Sequence, residues 1–263
     1  MLTIASWNIN SVRKHLGQLA RMAEETAADV ICLQETKAKV EAFPAAEIAA
    51  MGYPHQAVAG FGGYNGVAIL SKLPLTDIDR YPHCGRDDAR HISATVDGIS
   101  VHSLYVPAGG ELACVERNPK FAHKLKFVDA VADHFAGRHG YRDAIVVAGD
   151  FNVAPLPADV WDHLKLSRIV THTPIEIAAL ESMKRSLQFI DTLREVVPPD
   201  DPVFTWWIYR AGDWRAANKG WRLDHIWVTQ PLKGRIAGVE VLTDIRHWTP
   251  PSGHVPVILK LTA

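Results

Sequence analysis

Cysteine is scarce in this chain. Cys32, Cys84 and Cys114 are few, odd in number and without metal-type spacing, which excludes a disulfide framework and points to reduced thiols in a cytoplasmic protein. No apolar run approaches the roughly 20 residues that a membrane-spanning helix needs. The amino terminus opens on the strand-like Leu2-Thr3-Ile4-Ala5, where a secretory leader would place a basic stretch before an apolar one. Neither a leader nor a membrane partner is expected. An excess of charge is also lacking: the formal net charge is −1, so nothing draws the chain as a whole to nucleic acid, and phosphate binding must come from local clusters. Arg13-Lys14, Lys37 with Lys39, Arg86 with Arg90, and the basic residues of 120–126 and 210–222 are such clusters. Internal repeats and low-complexity linkers are missing too, which leaves 1–263 as one expected domain with a substantial core.

What is present centres on Ile145-Val146-Val147-Ala148-Gly149-Asp150-Phe151-Asn152. A continuous run of β-branched and small apolar residues bounded by turn formers reads as a strand buried on both faces, with Asp150 and Asn152 at its C-terminal end. Alternation along an extended backbone would turn both side chains the same way, a charged acceptor beside a neutral donor and acceptor. Taken alone, the pair is better explained by the turn beginning at Ala154-Pro155.

The chain starts as β-α-β and continues in hairpins. Residues 2–7 alternate as a strand, and Asn10 or Ser11 caps a helix with Val12, Leu16, Leu19 and Ala23 on one face. Residues 29–34 form a second buried strand that delivers Glu35. Strands at 53–58 and 66–70 flank a glycine-rich turn, and those at 92–96 and 99–106 flank Asp97-Gly98, a strong hairpin signal. A helix over 115–135 carries Phe121, Leu125, Val128, Ala132 and Phe135 on one face. Residues 155–202 are less regular, with 187–197 the better helix candidate, and strands follow at 222–228, 236–242 and 255–261. Hairpins mixed with helical crossovers argue against a purely parallel sheet and predict two mixed sheets packed face to face with helices outside.

Several strands end in a polar residue of the kind phosphate hydrolysis uses: Asn8, Glu35, Tyr105, and Asp150 with Asn152. Asp224 and His254 follow later. Each has an ordinary explanation as a turn former, a solvated carboxylate, a half-buried aromatic or a surface imidazole. Their joint occurrence is much harder to explain that way.

Trp7-Asn8-Ile9-Asn10, Leu33-Gln34-Glu35-Thr36-Lys37, Asn65-Gly66-Val67-Ala68-Ile69, Tyr105-Val106-Pro107, Gly149-Asp150-Phe151-Asn152, Phe204-Thr205-Trp206, Gly220-Trp221-Arg222-Leu223-Asp224 and Ser252-Gly253-His254 stand in one order. In that order and spacing the sequence resembles the exonuclease III family of abasic-site endonucleases and 3′ exonucleases, within the endonuclease/exonuclease/phosphatase superfamily. The resemblance spans nearly the whole chain, least clearly 155–202. It implies a four-layer α/β sandwich, the DNase I-like fold, with the site at one end of the packed sheets. It also implies a monomeric DNA-repair hydrolase that cuts 5′ to abasic sites in double-stranded DNA and trims blocked 3′ ends. By the same resemblance Glu35, assisted by Asn8, holds the metal, with Asp150, Asn152 and His254 beside it. Oxygen ligation favours Mg²⁺ or Mn²⁺. Asp150 would deprotonate water, Asp224 would position its neighbours, and Tyr105, Asn152 and His254 would contact the phosphate. Trp206 would line the pocket for the sugar lacking a base. Arg90, Arg210, Arg215, Lys219 and Arg222 are candidate DNA-phosphate contacts.

One departure stands out. Where the family reads Ser-Asp-His-x-Pro, this chain has Ser252-Gly253-His254-Val255-Pro256. His254 is therefore expected to lack its carboxylate partner, with weakened or redirected activity unless another acid such as Asp244 substitutes. Three rivals follow: a mainly 3′→5′ exonuclease, an enzyme for another phosphodiester, against which the Trp206 region argues, and a non-catalytic DNA-binding relative.

Overall fold

In the computed structural model, which describes residues 1–208 and 213–263, the chain begins β1 (Leu2–Asn8), α1 (Leu16–Thr26), β2 (Val30–Gln34), α2 (Ala45–Ala50), β3 (His55–Ala59), β4 (Val67–Ser71) and β5 (Thr76–Arg80). It continues through β6 (His91–Val96), β7 (Ile99–Tyr105), α3 (Pro119–Arg138), β8 (Ile145–Asp150), α4 (His163–Leu166), α5 (Pro174–Ser186) and β9 (Ile190–Asp191). The remainder holds β10 (Trp206–Trp207), α6 (Trp214–Ala217), β11 (Gly220–Trp221), β12 (Asp224–Val228), α7 (Gln230–Lys233), β13 (Ile236–Val241) and β14 (Val257–Leu261). Two six-stranded sheets form, ordered β13-β14-β1-β2-β4-β3 and β5-β6-β7-β8-β12-β9, with β10-β11 a separate ribbon. Each is mixed, through the parallel pairs β1/β2 and β7/β8.

Strand alternation sorts the side chains into layers. Leu2, Ile4, Val30, Cys32, Val67 and Ile69 of the first sheet meet Ile92, Val101, Val146, Ala148 and Ile226 of the second in one buried core. The opposite face of the first sheet, with Trp7, Ile31, Leu33 and Leu70, packs on Leu19, Met22 and Ile48 of α1 and α2. That of the second, with Leu104, Val147 and Trp227, packs on α3 and α5 through Phe127, Val131, Phe135, Leu180 and Met183. Helix, sheet, sheet and helix make the predicted four layers, the DNase I-like fold.

Several local readings change: α1 opens at Leu16 with His15, not Asn10 or Ser11, as its N-cap, and α3 begins at Pro119 behind an Asn118 cap, not at 115. The main helix of the irregular segment is α5, not 187–197, which holds β9 and a single 3-10 turn at Leu193–Glu195. Thr173 and Glu176 form a capping box with Pro174 in the first turn, a start signal written in Thr173-Pro174-Ile175-Glu176. β5 was not anticipated because it is exposed along its whole length, an edge strand guarded by charges. The strand expected from 222 begins at Asp224, since Arg222 turns into an internal ion pair described below.

Candidate active site

The inward-facing row of each central strand changes from apolar to polar at the same end of the sandwich. Tyr105 lies in register with Asp150, and Asp150 with Asp224. On the facing sheet Asn8 pairs with Gln34, and Glu35 follows with a left-handed φ of 49°. Polar contacts then tie the sheets together. Asn8 Nδ2 donates to Glu35 Oε1 at 3.1 Å and to Asp150 Oδ2 at 2.9 Å, and Tyr105 Oη–H donates to Glu35 Oε1 at 2.8 Å.

Asn152 reaches the site differently from the simple alternation expected of it. β8 ends at Asp150, and Asn152 has a φ of 51°. Its backbone N–H donates to Asp150 Oδ1 at 2.9 Å, while its Nδ2 donates to Asp150 Oδ2 at 3.0 Å and Val106 O at 2.9 Å. With its amide hydrogens so engaged, Asn152 steadies Asp150; they are not available for the phosphate contact expected above.

His254 is not short of a carboxylate. Its Nδ1 stands 2.8 Å from Asp224 Oδ2, and its Nε2 is 3.7 Å from Asp150 Oδ2. Thr205 Oγ1–H donates to the same Asp224 oxygen at 2.6 Å, and Thr205 Oγ1 accepts from the backbone N–H groups of Leu223 and Asp224. Asp244, the expected substitute, pairs with Arg215 at 2.7 Å on the surface. Gly253 instead lies against an aromatic: a Cβ there would stand 2.9 Å from Trp206 Nε1.

Burial, like charge and ion pairing set the protonation states. Burial raises the Asp150 carboxyl to about 7, helped by the charges of Asp224 and Glu35 and opposed by His254 and the Asn8 hydrogen bond. Burial works against charge on His254, yet Asp224 and Asp150 hold it up at about 9. While charged, His254 offers Nε2–H to a phosphate, and its ring also lies in one ligand-type group with Asp150 and Asp224. Glu35 lies below its ordinary range: burial pushes it up, but hydrogen bonds from Lys37 and Asn8 and the Lys37 charge prevail. Tyr105 is held neutral by burial beside Glu35 and Asp150.

The donor set fits a hard divalent cation. Asp150, Asp224 and His254 present one ligand atom each within 4.8 Å of one another, and Asp224 Oδ1 is buried without a hydrogen-bond partner. Glu35, Asp150 and Asp224 gather carboxylates faster than the neighbouring cations neutralise them. A carboxylate raised to about 7 is the symptom, and added positive charge would relieve it.

The profile of the Endonuclease/Exonuclease/phosphatase family matches residues 5–252. Exodeoxyribonuclease III of Haemophilus influenzae is 31% identical over 264 residues, covering 96% of this chain and 97% of that protein. The chain belongs to the exonuclease III family. The solved structure of an AP endonuclease from Archaeoglobus fulgidus superposes with a TM-score of 0.93 at 31% identity, with both chains fully covered. A variant of the 3′ phosphatase NExo from Neisseria, bound to a product DNA hairpin, superposes with a TM-score of 0.91 at 30% identity, again with full coverage of both.

In this exonuclease III relative the site opens into a cavity of about 500 Å³ whose walls include Trp206, Ile208, Trp221, Leu223 and Val170. Trp206 is half-buried and edge-on to Trp221, with ring centroids 5.1 Å apart, whereas Trp207 is core. The expected DNA-phosphate contacts divide. Arg90 stands at the site, its guanidinium 4.7 Å from the Tyr105 ring centre and bonded to Asn65 Oδ1 at 2.9 Å. Lys219 lies over Trp161, Arg215 is on the surface, and Arg210 lies outside the described residues. Arg222 is a correction. It is wholly buried, its Nε 2.7 Å from Asp159 Oδ1 and its Nη1 2.8 Å from Asp191 Oδ2, so it ties internal segments together and cannot meet DNA.

Two residues of the centre have no role assigned to them from the sequence, although both lie within the ordered motifs. Lys37 Nζ is 2.8 Å from Glu35 Oε2, two positions along in the Glu35-Thr36-Lys37 stretch. Thr205 fixes Asp224, a contact between distant segments that sequence spacing does not encode.

Proposed function

We propose that this protein hydrolyses the phosphodiester 5′ to abasic sites in double-stranded DNA and trims blocked 3′ ends, with Mg²⁺ or Mn²⁺. What carries the reading is Asp150 beside an imidazole held by Asp224, both lining an aromatic-walled cavity. Glu35 and Asp150, with Asn8 beside them, would hold the ion, which supplies charge neutralisation at the phosphate. Asp150 would take the proton of the attacking water as general base. Asn8 and Asn152 fix its oxygens. His254 presents Nε2–H to the phosphate as negative charge builds, and Asp224 keeps that ring charged and oriented. The aromatic-walled cavity would admit a sugar without its base. A second cavity of about 730 Å³, also touching Tyr105 and lined by Arg86, Arg90 and Lys120, offers positive charge to the flanking strand.

The test is cleavage of a duplex with one abasic analogue, with Mg²⁺ and with EDTA, by wild type and by Asp150→Asn. Product with wild type and Mg²⁺ alone supports the reading; equal product in every arm refutes it. A mainly 3′-directed enzyme is the second reading, favoured by full-length likeness to a protein described as a 3′ phosphatase. Parallel assays on recessed and 3′-phosphorylated ends rank the two. A non-catalytic DNA-binding role loses its motive, because His254 has Asp224.

A further inference from the structure

Away from this centre, the layer between α3 and the second sheet holds an unusual group of imidazoles. His91 and His102 project outward from β6 and β7 beneath α3, which contributes His134, while His83 precedes β6 and His139 caps α3. The rings of His91 and His134 have centroids 5.3 Å apart, and those of His102 and His139 5.5 Å. Five of the chain's 13 histidines meet here.

We propose that His91, His102 and His134 form a second metal site, for a borderline transition-metal ion of the Zn²⁺, Co²⁺ or Cu²⁺ kind and not for Mg²⁺. One ring nitrogen from each lies within 4.8 Å of the other two. His91 Nε2 and His102 Nδ1 face each other at 2.9 Å, a spacing at which a proton now bridges two lone pairs and a cation can replace it. The outer nitrogens are already supported. His91 Nδ1 is 2.9 Å from His83 Nε2, and His102 Nε2 is 3.0 Å from Ser100 Oγ. With the ring protons moved to those outer atoms, His83 and Ser100 accept hydrogen bonds and the inner nitrogens are left as ligands, the support that bound imidazoles usually have. At these two rings loading needs a change of tautomer, with no net loss of protons from them. The third arm is vacant: His134 Nε2 is buried with no hydrogen-bond partner. Burial keeps the rings neutral at pH 7, so protons compete weakly. Imidazole nitrogen favours this class of ion, whereas the oxygen-rich centre described above favours hard cations. His91 and His102 are nearly inaccessible, but His134 and His139 are half-buried and give the ion a way in.

The experiment loads full-length protein with Zn²⁺ or Co²⁺, removes loosely held ion by dialysis, and measures bound metal, the visible absorption of Co²⁺ and Tm. Asp150→Asn removes a carboxylate of the other centre, and His134→Gln and His102→Gln each remove one arm of this one. About one equivalent retained by Asp150→Asn, with a Zn²⁺-induced rise in Tm, supports the site. At least a tenfold loss of affinity in both histidine variants is expected with it, and His134→Gln should keep wild-type Mg²⁺-dependent cleavage. No retained ion in Asp150→Asn, or undiminished binding in both histidine variants, overturns the proposal.

Discussion

Replacing Asp224 by asparagine should change how activity depends on pH more than it changes the fold. Asparagine keeps an oxygen for Thr205 Oγ1–H and for His254 Nδ1, so the geometry survives and the charge goes. His254 stands at about 9 against an ordinary 6.5 although burial pushes it down, a preference for imidazolium of about 3 kcal/mol that the carboxylates supply. Asp224 is the nearer of the two facing it, at 2.8 Å against 3.7 Å for Asp150. An opposite charge at such distances is worth roughly 1–3 pH units. For wild type, kcat/KM on an abasic duplex should follow a bell in pH. Its alkaline limb falls near 9 as His254 loses its proton, and its acid limb rises near 7 at low Mg²⁺ as Asp150 ionises. Saturating Mg²⁺ moves the acid limb lower, since a cation favours the carboxylate. In Asp224→Asn the alkaline limb should retreat by roughly 1–3 pH units, with a loss on the order of 10²–10⁴ in rate on the alkaline side. Thr205→Val, which removes a neutral donor, should shift it less. An alkaline limb still near 9 in Asp224→Asn would refute the account.

Further outcomes follow from other contacts. Arg222→Gln strands Asp191 in the interior and leaves Asp159 with Arg194 as its remaining cation; it should cost about 3–5 kcal/mol in urea unfolding, without altering the salt dependence of DNA binding, and wild-type stability with a shallower salt slope would restore Arg222 as a DNA contact. Gly253→Asp should displace Trp206, changing tryptophan fluorescence and raising KM for abasic DNA, while kcat does not increase because His254 already has Asp224; a tenfold gain in kcat would show that a carboxylate is missed there. With chelator present, the histidine cluster should make the fold acid-sensitive. Burial holds His83 and His134 at about 4, so they are neutral when folded but protonate near 6.5 when unfolded. Their contribution is complete above about 6.5 and is lost as pH falls toward 4. Tm measured across that interval in wild type and in His83→Gln/His134→Gln should converge at the acid end, and parallel curves would contradict this.

Much of the site is legible in the sequence because each strand announces its own end. The apolar runs before Asp150 and Glu35 break off abruptly, and alternation then dictates which side chains face the core. What is not legible is mostly long-range. Arg222 looks like any arginine among basic neighbours until the fold brings Asp159 and Asp191 against it. Gly253 looks like a lost partner until Asp224 arrives from another strand. The histidines of β6, β7 and α3 are too far apart in sequence to suggest a cluster. β5 escapes notice for the opposite reason, since an exposed edge strand carries no hydrophobic pattern.

Asn8 ends a strand of one sheet and Glu35 directly follows another, while Tyr105, Asp150 and Asp224 lie at strand ends of the other sheet. Catalysis is thereby made a gauge of how the halves of the sandwich are docked. In mild denaturant, DNA cleavage should vanish as soon as the seam between them loosens, while circular dichroism still reports every strand.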